Sequence, residues 1–191
     1  MEKDYDILIN LCDSNCIPVK YLAGISQAKF KVGKYEEDID LYDMMIDVKE
    51  NTYCINEKLI KQKITDKTKA IIVVHLYGHP CDMKKILKIV KEKNIKVIED
   101  CAEALGSYFN KKHVGNFGDI STFSFFGNKL ITTGEGGMIG FKSKFHKDRA
   151  EILRDHGMSK KLKYWHEEVG FNFRLTNIQS AIGCAQMERI K

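Results

Sequence analysis

Apolar and polar positions along this chain follow two periods, and the change of period marks its elements. Residues 69–75, KAIIVVH, form a β-branched apolar run, as expected of a buried parallel strand. Asp82 then stands as an N-cap, with Met83, Ile86, Leu87 and Val90 at i, i+3, i+4 and i+7, predicting a helix to residue 93. Residues 44–48, 97–100, 121–126 and 137–141 read as further strands, and residues 56–64 as a helix. Ser143 caps a predicted helix carrying Phe145, Ile152 and Leu153. Thr176 and Gln179 make a capping-box signature, followed by a helix with Leu175, Ile178, Ile182 and Ala185 on one face. Near the start, Tyr5, Ile7, Leu8 and Leu11 fall at roughly helical spacing, which predicts a helix over residues 2–11.

Strands alternating with helices in this way predict an α/β fold with a mostly parallel sheet and flanking helices. Ligands of such sheets bind outside the carboxyl ends of the strands. Two ionisable residues fall there. Asp100 closes the strand Ile95-Lys96-Val97-Ile98-Glu99-Asp100. Lys129, in Gly127-Asn128-Lys129, follows the run from Ile120 to Phe126 and precedes the turn Thr132-Thr133-Gly134-Glu135-Gly136-Gly137. A lysine amine can condense with the aldehyde of pyridoxal 5'-phosphate (PLP). A carboxylate can keep the pyridine nitrogen of that cofactor protonated, so that the ring draws electrons. The plainer alternatives are a surface lysine and an aspartate that caps a helix.

Composition narrows the field. At 191 residues, 43% hydrophobic and 30% charged, the chain can form a globular core. The net charge of +5 would help attract a nucleotide diphosphate, or is simply solvated lysine. Lysines are spread along the chain without a nucleic-acid-binding motif, so no nucleic-acid partner is expected. The six cysteines form no CxxC pair and no signal peptide precedes them, so reduced thiols in a cytoplasmic protein are expected. The longest apolar stretch, residues 70–74, is too short to span a bilayer. His75 and His79 have a spacing that suits a metal only on a helix, whereas here it runs from a strand through Gly78 to Pro80; no metal site is expected. His156 reads as structural. Gly134, Gly136 and Gly137 lack a GxxxxGK[ST] pattern and read as a turn that lets the chain pass close to Lys129.

From residue 51 onward the chain resembles a known family. The segments ENTYCIN, KAIIVVHLYGHPCDM, VIEDCAEALGS, VGNFGDISTFSFFGNKLITTGEGGM, RDHGM and YWHEEVGFNFRLTNIQSAIGCAQMERI carry the likeness. They are similar, in order and spacing, to the DegT/StrS-type sugar aminotransferases, which are fold-type I PLP enzymes, and most of all to perosamine synthase-like members. The resemblance implies that Lys129 bonds the cofactor and moves the catalytic proton, and that Asp100 partners the pyridine nitrogen. It places Glu103 near the ring hydroxyl, although the first turn of a helix is the equal alternative. It gives Ser124 to the cofactor phosphate, with Ser121 and Thr122 as neighbours that compete for the role. It carries Asn172 across a dimer interface toward the partner's phosphate site, or leaves it as a turn residue. Arg174 either shares that role or forms a salt bridge.

The implied activity is PLP-dependent transamination of a nucleotide-linked 4-keto-6-deoxy sugar in amino-sugar and polysaccharide biosynthesis. Glutamate is the implied donor, and the implied assembly is a homodimer or an association with a full-length relative. The perosamine-like segments point to a GDP-linked sugar. Residues 46–191 would then be a partial PLP-binding large domain of the fold-type I transferase class, and residues 1–45 a divergent N-terminal segment. The stretch CDSNCIPVKYLAGISQAKFKVGKYEEDI resembles the family's short helix, glycine turn and acidic helix. The family's Gly-Thr phosphate anchor and stacking aromatic have no counterpart, since residues 1–45 hold no Gly-Thr pair. The family's C-terminal small domain has none either. The truncated chain is therefore expected to bind PLP weakly, and the alternative is a non-catalytic remnant that keeps the sheet and a dimerisation surface.

Overall fold

Caps and strand pairings realise most of the predicted elements. The computed structural model describes the backbone of residues 7–9, 30–34 and 44–46, and residues 54–190 in full. The chain forms two units, Met1–Thr68 and Lys69–Lys191.

In the first unit, β1 (Ile7–Ile9), β2 (Phe30–Lys34) and β3 (Met44–Ile46) pair in parallel in that order. The helix expected over residues 2–11 is therefore corrected to a strand at Ile7–Ile9. A short apolar run satisfies either period, and parallel pairing with Phe30–Val32 decides it. Gly33, in the segment where the resemblance implies a glycine turn, is a strand residue opposite Met45. The acidic helix implied after it, and Cys12 and Cys16, lie outside the described residues. Helix α1 (Glu57–Lys63) starts at Asn56, whose side chain accepts the Lys58 N–H at 3.1 Å.

The second unit is built on a four-stranded sheet of order β4-β5-β8-β9. Strands β4 (Ala70–Val74), β5 (Lys96–Asp100) and β8 (Ile120–Ser124) are parallel, and β9 (Gly137–Phe141) closes the edge antiparallel to β8. The predicted strand over 121–126 ends at Ser124. A hairpin of β6 (Tyr108–Phe109) and β7 (Lys112–His113) stands between β5 and β8 in the chain. Helix α2 (Met83–Glu92) joins β4 to β5. Its Asp82 cap accepts the Lys85 N–H at 3.1 Å, and Met83, Ile86, Ile89 and Val90 are buried. The buried stripe thus includes Ile89, with Leu87 at its margin rather than within it. Helices α3 (Lys144–Arg154) and α4 (Asn177–Met187) follow. Ser143 precedes α3 without a side-chain capping bond, whereas Thr176 and Gln179 form a complete capping box on α4. On α4, Ile178 and Ile182 remain exposed.

Paired residues of neighbouring strands share a face, and successive residues alternate. The register sets Val73, Glu99 and Ser121 side by side, and Val74, Asp100 and Thr122 one step further. The first set, together with Ile71 and Val97, forms the buried face. At the opposite end of β5, Asp119 fixes the start of the β5–β8 pairing: its carboxylate accepts the Val97 N–H at 2.9 Å and its own N–H bonds the Val97 carbonyl at 2.7 Å.

Candidate active site

The carboxyl ends of β4, β5 and β8 come together, and the two acidic residues that end β5 face opposite ways. Glu99 is fully buried. Its Oε1 accepts the N–H groups of Phe117 at 2.7 Å and Gly118 at 2.5 Å. Its Oε2 accepts the Gly115 N–H at 2.8 Å and His75 Nε2 at 3.1 Å. His75 Nδ1 accepts the Cys81 N–H at 3.1 Å, so the proton of this imidazole resides on Nε2 and is donated to Glu99. Burial pushes the Glu99 pKa upward, but the bonds from His75, Gly118, Gly115 and Phe117 outweigh it and hold the carboxyl below its ordinary range. Cys101, also fully buried, lies close enough to His75 and Glu99 for the three to resemble metal ligands. Their chemistry argues otherwise. Both imidazole nitrogens and both carboxylate oxygens are engaged, and burial, with the charges of Glu99 and Asp100, pushes the Cys101 thiol up to about 12. His79 is exposed and does not join them.

Asp100 projects from the other face. Its Oδ1 accepts the Ala102 N–H at 3.0 Å, and among the described residues its Oδ2 accepts no hydrogen bond. No helix follows it. Residues 101–107 are a turn, which corrects both helix-based alternatives, the N-cap aspartate and the first-turn glutamate. In that turn Glu103 Oε2 accepts the Tyr77 N–H at 2.8 Å, and Oε1 lies 3.8 Å from Lys129 Nζ. Tyr77 adopts a left-handed backbone (φ 50°, ψ 33°), uncommon for a residue with a side chain and a form of strain that clusters at functional sites. The Ser107 hydroxyl donates to the Gly78 carbonyl at 2.8 Å, so the turn after β4 is laced to the turn after β5.

Lys129 sits in the loop after β8, with its side chain 18% exposed. Phe125 closes the base of this loop. Its N–H donates to the Gly136 carbonyl at 2.9 Å, and its carbonyl accepts Thr133 N–H and Thr132 Oγ1, each at 2.9 Å. The loop is also clamped to α4, because the Gln186 amide accepts the Thr132 N–H at 3.1 Å and donates to the Thr132 carbonyl at 2.5 Å. Gly136 is required here: its φ is +126°, and an added Cβ would meet Leu175 Cδ2 at 2.5 Å.

The remaining expected residues separate by face. Ser121 is buried on the Glu99 face, whereas Thr122 and Ser124 lie on the Asp100 face. Ser124 Oγ accepts the Phe126 N–H at 3.3 Å. Asn172 belongs to another loop, where its backbone bridges Asp155. No hydrogen bond or ion pair among the described residues links it to Lys129, Asp100, Glu103 or Ser124. Arg174 forms a salt bridge with Asp155 at 3.1 Å. Sequence reasoning missed the Glu99–His75 pair, the Tyr77–Glu103 bond and the Gln186 clamp. Only the first left a signal: strict alternation sends one carboxylate of a Glu-Asp pair into the core, where it needs donors.

With this geometry in hand, comparison with known proteins identifies the class. Residues 40–191 match the model of the DegT/DnrJ/EryC1/StrS aminotransferase family, and the chain belongs to that family. Residues 1–65 also match a family of unknown function. The GDP-perosamine synthase of Escherichia coli O157:H7 is 53% identical over 146 residues, covering 76% of this chain and 40% of the relative. That of Caulobacter vibrioides is 48% identical over 147 residues, covering 77% and 40%. The chain thus spans about two-fifths of the length of these curated relatives. Among solved structures, the aminotransferase from Psychrobacter cryohalolentis superposes with a TM-score of 0.75 at 33% identity, covering 98% of this chain and 47% of that one. The E. coli GDP-4-keto-6-deoxy-D-mannose-3-dehydratase with bound hydrated PLP gives 0.76 at 27% identity, covering 98% and 49%. No helix among the described residues is long and apolar enough to cross a membrane.

Proposed function

We propose that this chain forms the PLP-binding part of an aminotransferase that acts on a nucleotide-linked 4-keto-6-deoxy sugar, with glutamate as amino donor. The observation that carries the reading is a half-buried lysine on the loop after β8, its amine 3.8 Å from Glu103, while Asp100 at the end of the neighbouring strand β5 has one carboxylate oxygen that accepts no hydrogen bond among the described residues. Those groups fit PLP. An amine is present for its aldehyde, and an unpaired carboxylate oxygen for its ring N–H. Similarity to GDP-perosamine synthases supports a GDP-linked sugar.

When bound, PLP supplies an aldehyde that captures amines and a protonated ring that withdraws electrons. Lys129 would hold the cofactor through its amine, and the same Nζ would carry the mobile proton. Asp100 Oδ2 would accept a hydrogen bond from the ring nitrogen and stabilise its positive charge. Glu103 is anchored by Tyr77, so its second oxygen stays directed at the amine. Ser124, on the same face as Asp100, would offer its hydroxyl to a phosphate oxygen. Asn172, in its separate loop, serves the site of a second subunit. Trapping tests the core of this reading: the chain is incubated with PLP, reduced with borohydride and peptide-mapped. The label is expected on Lys129 alone, and Lys129→Ala is expected to lose the near-ultraviolet to violet absorbance without loss of fold. Labels scattered over other lysines would refute the assignment.

A further inference from the structure

Glu99 accepts four hydrogen bonds, and the proposed chemistry gives it nothing to do. A buried charge held by hydrogen bonds is weak evidence for stability, since apolar side chains of the same volume often serve as well. The four donors of Glu99 come from two distant segments. His75 follows β4, and Gly115, Phe117 and Gly118 precede β8. The backbone beside it is held as firmly. The His75 N–H donates to the Asp100 carbonyl at 3.0 Å, and the Cys101 N–H donates to the Thr122 carbonyl at 2.8 Å. His75 therefore binds Glu99 through its ring and Asp100 through its backbone.

We propose that Glu99, together with His75, is a positioning residue that sets the Asp100 carboxylate where it meets the pyridine nitrogen, an inference that rests on the PLP reading above. A carboxylate suits this place because every donor aimed at it is an N–H. The amide of glutamine would turn its own N–H groups against one pair of them. The fixed tautomer of His75 leaves no acceptor there to compensate.

The test is a double-mutant cycle on the full chain with PLP as the probe. PLP affinity is read from absorbance titration, and attachment at Lys129 from borohydride labelling. The unmodified chain is compared with Glu99→Gln, Asp100→Asn and the double variant. Glu99→Gln is expected to weaken PLP binding about tenfold, within the range lost when an outer partner of a metal ligand is removed. It should also move the absorbance–pH curve of the bound cofactor in the same direction as Asp100→Asn. In the Asp100→Asn background the added Glu99 change should cost less than about twofold, because both act through one carboxylate. Full additivity, or an unmoved absorbance–pH curve, would overturn the proposal. If Glu99→Gln does not fold, the same cycle with His75→Ala, which leaves the three backbone donors on Glu99, decides by the same outcomes. Failure of the unmodified chain to take up PLP at Lys129 would overturn the PLP reading itself, and this inference with it.

Discussion

Replacing Glu99 by glutamine removes one charge and should destabilise the whole second unit. The carboxylate receives four N–H donors in a fully buried place. Hydrogen bonds to a charged group contribute about 1.5–3 kcal/mol each, but four bonds on one side chain are not additive. Breaking a buried charged network by altering one partner typically costs about 3–5 kcal/mol, and we take that as the expected loss. Against the roughly 5–15 kcal/mol that stabilises an ordinary domain, it is severe but leaves room for folding. The loss should depend on pH. Because the folded state holds Glu99 below its ordinary pKa, the unfolded chain binds the proton first as acid is added. The contribution is therefore complete above the ordinary carboxylate range and declines as pH falls through the depressed value. Glutamine has no such dependence, so the stability gap between the two proteins should be widest near neutrality and narrow toward acid. Urea denaturation followed by far-ultraviolet circular dichroism, repeated at stepwise lower pH, measures the gap. Hydrogen exchange at Gly115, Phe117 and Gly118 should quicken in the variant. A gap below about 1 kcal/mol at neutral pH would refute the reasoning, given what a lost charged hydrogen bond costs. A gap that acid leaves unchanged would refute it equally.

Other outcomes follow from the same geometry. Asp100→Asn should keep PLP attached at Lys129 but shift the absorbance–pH curve of the bound cofactor, since an amide cannot hold the ring nitrogen protonated; an unmoved curve would rule the role out. Gln186→Leu leaves both backbone groups of Thr132 without their partner. That should cost about 1–3 kcal/mol and speed hydrogen exchange at the Thr132 amide while α4 stays capped; an unchanged Thr132 amide would show that the clamp does not hold the loop. Ile86→Ala, in the fully buried stripe of α2, should lower stability by about 2–5 kcal/mol in a denaturant melt, and a loss under 1 kcal/mol would mean the site collapses without a cavity.

Much of the scaffold was written in local pattern. The β-branched run at Ala70–Val74, the Asp82 cap with its apolar stripe, and the Thr176–Gln179 box depend on residues a few positions apart, and their forces act at that range. The family motifs likewise carried the aminotransferase class, because they are contiguous words. At Ile7–Ile9 local pattern failed: three apolar residues serve a helix or a strand, and only a distant partner chooses. The faces taken by Glu99 and Asp100, and by Ser121 and Ser124, follow from strand register. Register in turn depends on segments far apart in sequence. The donors that hold Glu99 lie 16 to 24 residues away, and the glutamine that clamps the lysine loop lies 54 residues from Thr132. No local period encodes such distances. They arise when a buried polar group must find its hydrogen bonds in whatever the folded chain has brought beside it.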